Sequence, residues 1–216
     1  MNENIAVLID DLVSRHPQLE SCKNEIREAY QTLEQAFSND RKLLVAGNGG
    51  SASDSEHIVG ELMKEFRMKR KVYASQAEAL MQIDPHLGAV LANDLQGALP
   101  AICLTGHSSL TTAFMNDVNA DLVFAQQVYG YGKPNDVFMG ISTSGNSKNV
   151  LYAAVAAKAK GLKVIGLTGG RPNQLDRFAD VCIHVPETET FKVQELHLPV
   201  YHCLCLMLEE RFFGKG

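Results

Sequence analysis

Between residues 18 and 37, apolar side chains recur at Leu19, Cys22, Ile26, Ala29, Tyr30, Leu33 and Phe37, with charged residues between them. That spacing predicts an amphipathic helix whose stripe must be buried on its own domain or on a partner subunit. Pro17 lies near its start and Ser38-Asn39-Asp40 near its end. From residue 42 the rhythm shortens. Short apolar runs at 42–46, 101–104, 137–141, 164–167 and 181–185 predict five strands. Helical patterns at 51–66, 149–160 and 192–211 alternate with them, which predicts an α/β fold: a parallel sheet covered by helices on both faces. Residues 74–99 have helical composition broken at Pro85 and weakened by Gly88 and Gly97, so one or two short helices in a packed surface excursion are expected there.

Composition narrows the function classes. A chain of 216 residues holds one full domain with an appendage. Its net charge of −5 argues against non-specific nucleic-acid binding, which needs clustered cations. The one basic run, Arg67-Met68-Lys69-Arg70-Lys71, reads as a solvated helix C-terminus. Five cysteines without any CxxC spacing predict reduced, buried thiols rather than a disulfide framework or a structural zinc–thiolate site. The acidic N-terminus lacks a signal-peptide pattern, and no apolar run is long enough to span a bilayer. A cytoplasmic protein is expected.

Two loops carry the candidate chemistry. In the first, a strand runs into Gly47-Asn48-Gly49-Gly50-Ser51-Ala52, which fits the dinucleotide pattern G-x-G-x-x-G/A. That pattern also demands a following strand ending in an acidic residue; here the region is Arg67–Tyr73, basic and poor as a strand, which leaves an NADP enzyme a minority reading. In the second, a strand enters Ser142-Thr143-Ser144-Gly145-Asn146-Ser147 and then a helix. Free N–H groups at a helix start together with four hydroxyls suit an anion. Ser144 or Ser147 is expected to serve as the helix N-cap. No lysine follows Gly145 as in a triphosphate loop, so a single phosphate on a small metabolite fits best. His57 and Glu61 lie one turn apart on the helix after the first loop, and Gln194, Glu195, His197 and His202 interrupt an otherwise apolar C-terminal helix.

Strand–GNGGS–helix followed by strand–ISTSGNS–helix resembles the sugar-isomerase (SIS) domain, and within it the phosphoheptose isomerases. The resemblance spans nearly the whole chain. It implies a three-layer αβα sandwich with a five-stranded parallel sheet at 41–216, preceded by an N-terminal helical arm at 1–40 that packs between subunits of a homotetramer. It implies sugar-phosphate contacts from Asn48, Gly49, Gly50, Ser51, Asp117, Ser142, Thr143, Ser144, Ser147 and Gln194. The C-terminal segment resembles the family's Q-E-x-H-x-x-x-x-H stretch, which implies a zinc ion held by His57, Glu61, Gln194 and His202, with His197 and Glu195 in supporting roles. Glu61 is then the base and His202 the partner acid/base in interconverting sedoheptulose 7-phosphate and D-glycero-D-manno-heptose 7-phosphate through an enediol(ate). No organic cofactor, nucleic acid or membrane is implied.

Three departures bear on substrate identity. Phe191 stands where the family has an acidic residue, Pro199 interrupts the last helix, and 74–99 is longer than its family counterpart. A non-catalytic SIS adaptor that binds a replication initiator is the rival from another class. It carries asparagine at the last histidine and STRGNS in its loop, whereas this chain has His202 and Ser144. A sensor or isomerase of another sugar phosphate is the second alternative.

Overall fold

The computed structural model describes residues 3–214; the outermost ends of the arm and of the SIS region therefore lie outside the described residues. Five parallel strands form the sheet: β1 (Leu43–Ala46), β2 (Ala101–Cys103), β3 (Val137–Ile141), β4 (Lys163–Gly169) and β5 (Val181–Val185), in spatial order β2-β1-β3-β4-β5. The five predicted strands are all present, and alternation along each sorts its residues between two cores. Leu43, Val45, Met139, Ile165 and Ile183 face a layer containing α1 (Glu3–Arg15), α2 (Lys23–Phe37), α3 (Gly50–Met63) and α9 (Thr190–Phe213). Leu44, Ala46, Phe138 and Val164 face α7 (Val123–Tyr131) and α8 (Lys148–Ala159). The three-layer expectation is met.

The stripe of the N-terminal arm finds its cover within the chain. Leu19, Cys22, Ile26, Ala29, Tyr30 and Leu33 are buried in the first core, where α1 and α2 contact α9 and α2 also contacts β5. Each fully buried aliphatic side chain of this kind contributes about 1.5–3 kcal/mol. Of the two coverings open to the sequence, its own domain is the one observed. Pro17 opens a 3-10 stretch, Pro17–Cys22, ahead of α2.

Residues 74–99 form α4 (Ala74–Ile83) and α5 (Pro85–Asp94), divided where Pro85 was expected to break the pattern. Asp84 caps α5 by accepting from the N–H groups of His86 and Leu87, and Pro85 occupies the first turn, where its missing N–H costs nothing. Gly88 lets α5 press against the Leu80 backbone of α4. Apart from Gly88 neither helix buries a residue, and Ile83, Leu87 and Val90 stay exposed. Below them runs a groove of about 670 Å³ lined by Phe37, Tyr73, Leu80, Leu99 and Phe213.

Two expectations are corrected. Helix α3 ends at Met63 rather than 66, and the basic run beyond it is not a solvated helix end: Arg70 is fully buried against Glu209 of α9. Burial of a cation is tolerable only because a carboxylate and two carbonyls meet it. The region between β2 and β3, to which the sequence pattern assigns no element, holds α6 (Ser108–Phe114), α7 and the turns joining them. Helix α9 runs through Pro199 as one element of 24 residues. Among the described residues no helix is long and apolar enough to cross a membrane.

Candidate functional site

In a doubly wound sheet of order 2-1-3-4-5 the chain reverses its direction of travel between β1 and β3, and the loops leaving those two strands open a crevice at their carboxyl ends. Those are the two loops singled out by sequence. GNGGS leads from β1 into α3, and STSGNS from β3 into α8. They are tied together by a reciprocal amide pair: Asn48 Nδ2 donates to Asn149 Oδ1 (2.9 Å) and Asn149 Nδ2 to Asn48 Oδ1 (2.8 Å). Asn149 was not foreseen; it lies just past the recognised motif, and only the fold shows that it faces Asn48.

Neither helix start is closed by the side chain of its N-cap residue. Gly49 caps α3 without a side chain, and Ser147 caps α8 with no side-chain hydrogen bond to the helix. Ser147 thus takes the expected N-cap position without making the capping bond. Ser147 Oγ pairs instead with Ser142 Oγ at 3.0 Å, and Ser144 Oγ accepts from the Asn146 N–H at 3.2 Å. Asn149 Oδ1 also accepts from the Val150 N–H at 3.0 Å, and the Ser51 and Ala52 N–H groups turn back onto the Asn48 and Gly49 carbonyls, so only the outermost N–H groups of the two helices are left for the crevice. Gly145, at φ +63, allows the loop to turn tightly where Asn173 packs against it. Thr143 and Ser144 line a cleft of about 270 Å³ with Arg171, Glu187 and Thr190. Ser51 is buried, its carbonyl accepting from Ser55 Oγ.

Helices α3 and α9 converge beneath the first loop. The amide of Gln194 lies against Gly50, so closely that any side chain there would collide with it. Deeper along the same pair of helices, the His57 and His202 rings meet edge to face with centroids 4.9 Å apart. His57 Nε2 lies 3.1 Å from Glu61 Oε1, and His57 Nδ1 lies 3.0 Å from the Tyr201 hydroxyl, which donates to Asp54 Oδ1 at 3.2 Å. With that hydroxyl committed to Asp54, its oxygen accepts from Nδ1–H of His57. Nε2 then turns a lone pair toward a carboxylate, and a proton or a cation is required between them. His202 Nε2 is buried without a hydrogen-bond partner. Burial, and next the charge of His57, hold the His202 imidazole below its ordinary range, with Glu61 opposing. Burial also raises Asp54 and Tyr201 above theirs. Tyr201 and Asp54 were missed in the sequence; a tyrosine beside a histidine in an apolar helix carries no signal of its own.

Other expected site residues lie apart from this cluster. Asp117 sits in a single π-helical turn, Met115–Asn119, exposed, and accepts from Asn116 Nδ2 at 2.8 Å without joining the hydrogen bonds of either loop. Phe191 points outward in the first turn of α9. His197 is fully buried on α9, and burial pushes its imidazole down to about 4, the backbone of Thr168 alone opposing.

A pH dependence of stability follows from His197. The folded chain holds it neutral, whereas the unfolded chain takes up a proton below the ordinary value of 6.5. Stability is therefore expected to fall as pH drops from about 6.5 to about 4, by about 3 kcal/mol, and no further from this group below that. Urea unfolding at pH 7 and pH 4 should show a smaller difference for His197→Leu than for the parent chain. Equal differences would show that this imidazole is not the cause.

Among the described residues, the one group of three metal-capable side chains whose ligand atoms all lie within 4.8 Å of one another is not the expected quartet but Asp176, Cys182 and His184. By sequence, Cys182 is simply one of five thiols expected to be reduced and buried.

The chain has relatives of known family. The sequence pattern of the SIS domain matches residues 86–169. The chain is similar to phosphoheptose isomerase 2 of Campylobacter jejuni, 39% identical over 88% of this chain and 82% of the relative. It is similar to the phosphoheptose isomerase of Geotalea daltonii, 38% identical over 88% and 86%. The solved structure of the Neisseria gonorrhoeae phosphoheptose isomerase superposes with a TM-score of 0.72 at 30% identity, covering 96% of this chain and 98% of that one.

Proposed function

The chain belongs to the phosphoheptose isomerase family, and from that premise we propose that it interconverts sedoheptulose 7-phosphate and D-glycero-D-manno-heptose 7-phosphate. The observation that carries the proposal is the Glu61–His57–His202 cluster on α3 and α9, the first of which starts at the β1/β3 crevice. In this reading the phosphate is held by Ser142, Thr143, Ser144 and Ser147 and the start of α8, where N–H groups and hydroxyls converge. Asn48, Gly49, Gly50, Ser51 and Gln194 form the wall along the sugar, and Asp117 receives its hydroxyls.

The reaction moves one proton between C1 and C2 through an enediol(ate). Glu61 takes the C1 proton of the ketose and returns it to C2. His202, kept neutral by burial, accepts the O1 hydroxyl proton and delivers it to O2. The donor types suit a divalent metal of the zinc class: the facing lone pair and carboxylate of His57 and Glu61 and the unpaired Nε2 of His202 would hold it, with Gln194 as the fourth expected ligand. Such an ion would supply Lewis-acid stabilisation to oxygen as charge develops.

We further assign residues 1–40 to an arm and 41–216 to the sugar-phosphate domain, in a cytoplasmic homotetramer. The exposed apolar side chains of α1 and α4–α5, among them Val7, Ile83 and Leu87, support assembly. The deciding experiment is solvent-deuterium incorporation, followed by NMR with zinc supplied, into a panel of ketose phosphates. Deuterium is expected at C1 of sedoheptulose 7-phosphate and at C2 of the aldose 7-phosphate formed from it. A panel showing no exchange at all would sink the enzyme and favour the adaptor.

A further inference from the structure

We propose that Asp176, Cys182 and His184 form a second metal-ion site, for a divalent ion of the zinc class, which pins the segment behind the STSGNS loop. Cys182 and His184 are two apart on β5 and so share one face of the edge strand. Asp176 reaches that face from the 3-10 turn Leu175–Arg177. The three ligand atoms lie within 4.8 Å of one another, with His184 Nε2 2.8 Å from Asp176 Oδ1. The Cys182 sulfur also lies 3.7 Å from Thr168 Oγ1.

The chemistry selects the class of ion. A thiolate, an imidazole and a carboxylate are the donors zinc prefers, whereas magnesium and calcium take oxygen ligands. Asp176 is already oriented: its Oδ2 accepts from the Asn173 N–H at 3.1 Å, the outer hydrogen bond that ligating carboxylates characteristically keep. His184 and Asp176 side chains are each about one-third exposed, at 36% and 33%, which leaves water access to a fourth coordination position. Binding replaces the thiol proton with the metal and releases that proton to solvent.

The site lies directly behind the phosphate loop. Asn173 packs against Gly145, the Gln174 N–H donates to Asn146 Oδ1 at 3.0 Å, and the Leu175 N–H donates to the Gly145 carbonyl at 3.1 Å. An ion on Asp176 therefore holds the segment that backs Gly145 and Asn146.

The test uses the full chain stripped with a chelator and titrated with Co²⁺. The proposed isomerase quartet contains no sulfur, so a thiolate-to-cobalt charge-transfer band reports on the second site alone. The band is expected to saturate at a single equivalent of this site, to disappear on adding Zn²⁺, to be lost in Cys182→Ser and to persist in His202→Gln. Circular dichroism checks that each variant is folded. Should Cys182→Ser not fold, His184→Gln is read instead, and a weakened, shifted band is expected. No band at excess Co²⁺, or a band unchanged in the folded Cys182→Ser or His184→Gln variant, overturns the proposal. Activity is not a readout, so failure here leaves the isomerase reading untouched.

Discussion

Glu61→Gln is expected to lower kcat for sedoheptulose 7-phosphate by roughly 10²–10⁴-fold, the usual contribution of a positioned general base. The substitution keeps the side chain's size and supplies an amide N–H that can donate to His57 Nε2, but an amide cannot take a proton from carbon. Glu61 is mostly buried and held by contacts from His57 and Lys64, so the amide has the same place to sit. Thermal unfolding should therefore stay close to that of the parent chain, and KM should move far less than kcat, because the phosphate loop is untouched. Deuterium exchange into the ketose phosphate should fall in parallel. A variant that is folded and turns over at the parent rate would remove Glu61 from the chemistry and, with it, the proposed proton path.

Glu209→Ala is expected to cost about 3–5 kcal/mol of stability, measured by urea unfolding, because it leaves a guanidinium buried without its counter-charge. Glu209 Oε1 accepts from Arg70 Nε at 2.8 Å and from the Phe66 N–H at 2.9 Å, while Oε2 accepts from the Arg67 N–H at 2.9 Å. Both side chains of the pair are fully buried. Replacing both at once, Arg70→Met with Glu209→Leu, should recover part of that loss, since no unpaired charge then remains but the Phe66 and Arg67 N–H groups and the Leu62 and Glu61 carbonyls lose their partners. It should not recover full activity. Arg70 Nη1 and Nη2 also donate to the carbonyls of Leu62 and Glu61, at 2.8 and 3.0 Å. The pair thus clamps the end of α3 that carries the proposed base. A double variant that regains stability and also keeps the parent kcat would show that the clamp does not position Glu61.

The same ion pair shows where sequence reasoning reached its limit. Arg67–Lys71 looks like any solvated cationic run, because a charge run in sequence does not reveal which carboxylate lies above it in space. Glu209 is 139 residues away from Arg70, and only the docking of α9 on α3 brings them together. The N-cap is a second case: Ser147 has the right residue type and position, yet Ser142 from five residues upstream engages its hydroxyl. Asp54, Tyr201 and Asn149 escaped notice for the same reason, since each takes its part from a partner on another element.

What the sequence determined by itself is whatever depends on local periodicity and local chemistry. The five strands follow from short apolar runs, the division of α4 from α5 follows from Pro85, and the two loops proposed to bind the substrate follow from glycines and hydroxyls placed between a strand and a helix. These are properties of neighbouring residues, set by backbone sterics and by which face an apolar stripe must bury. The tertiary structure alone decided which side chains from distant elements meet: His57 with His202, Gln194 with Gly50, Arg70 with Glu209, and Asp176 with Cys182 and His184. Burial changes what a charge, a thiol or an imidazole can do, and burial is a property of the packed whole.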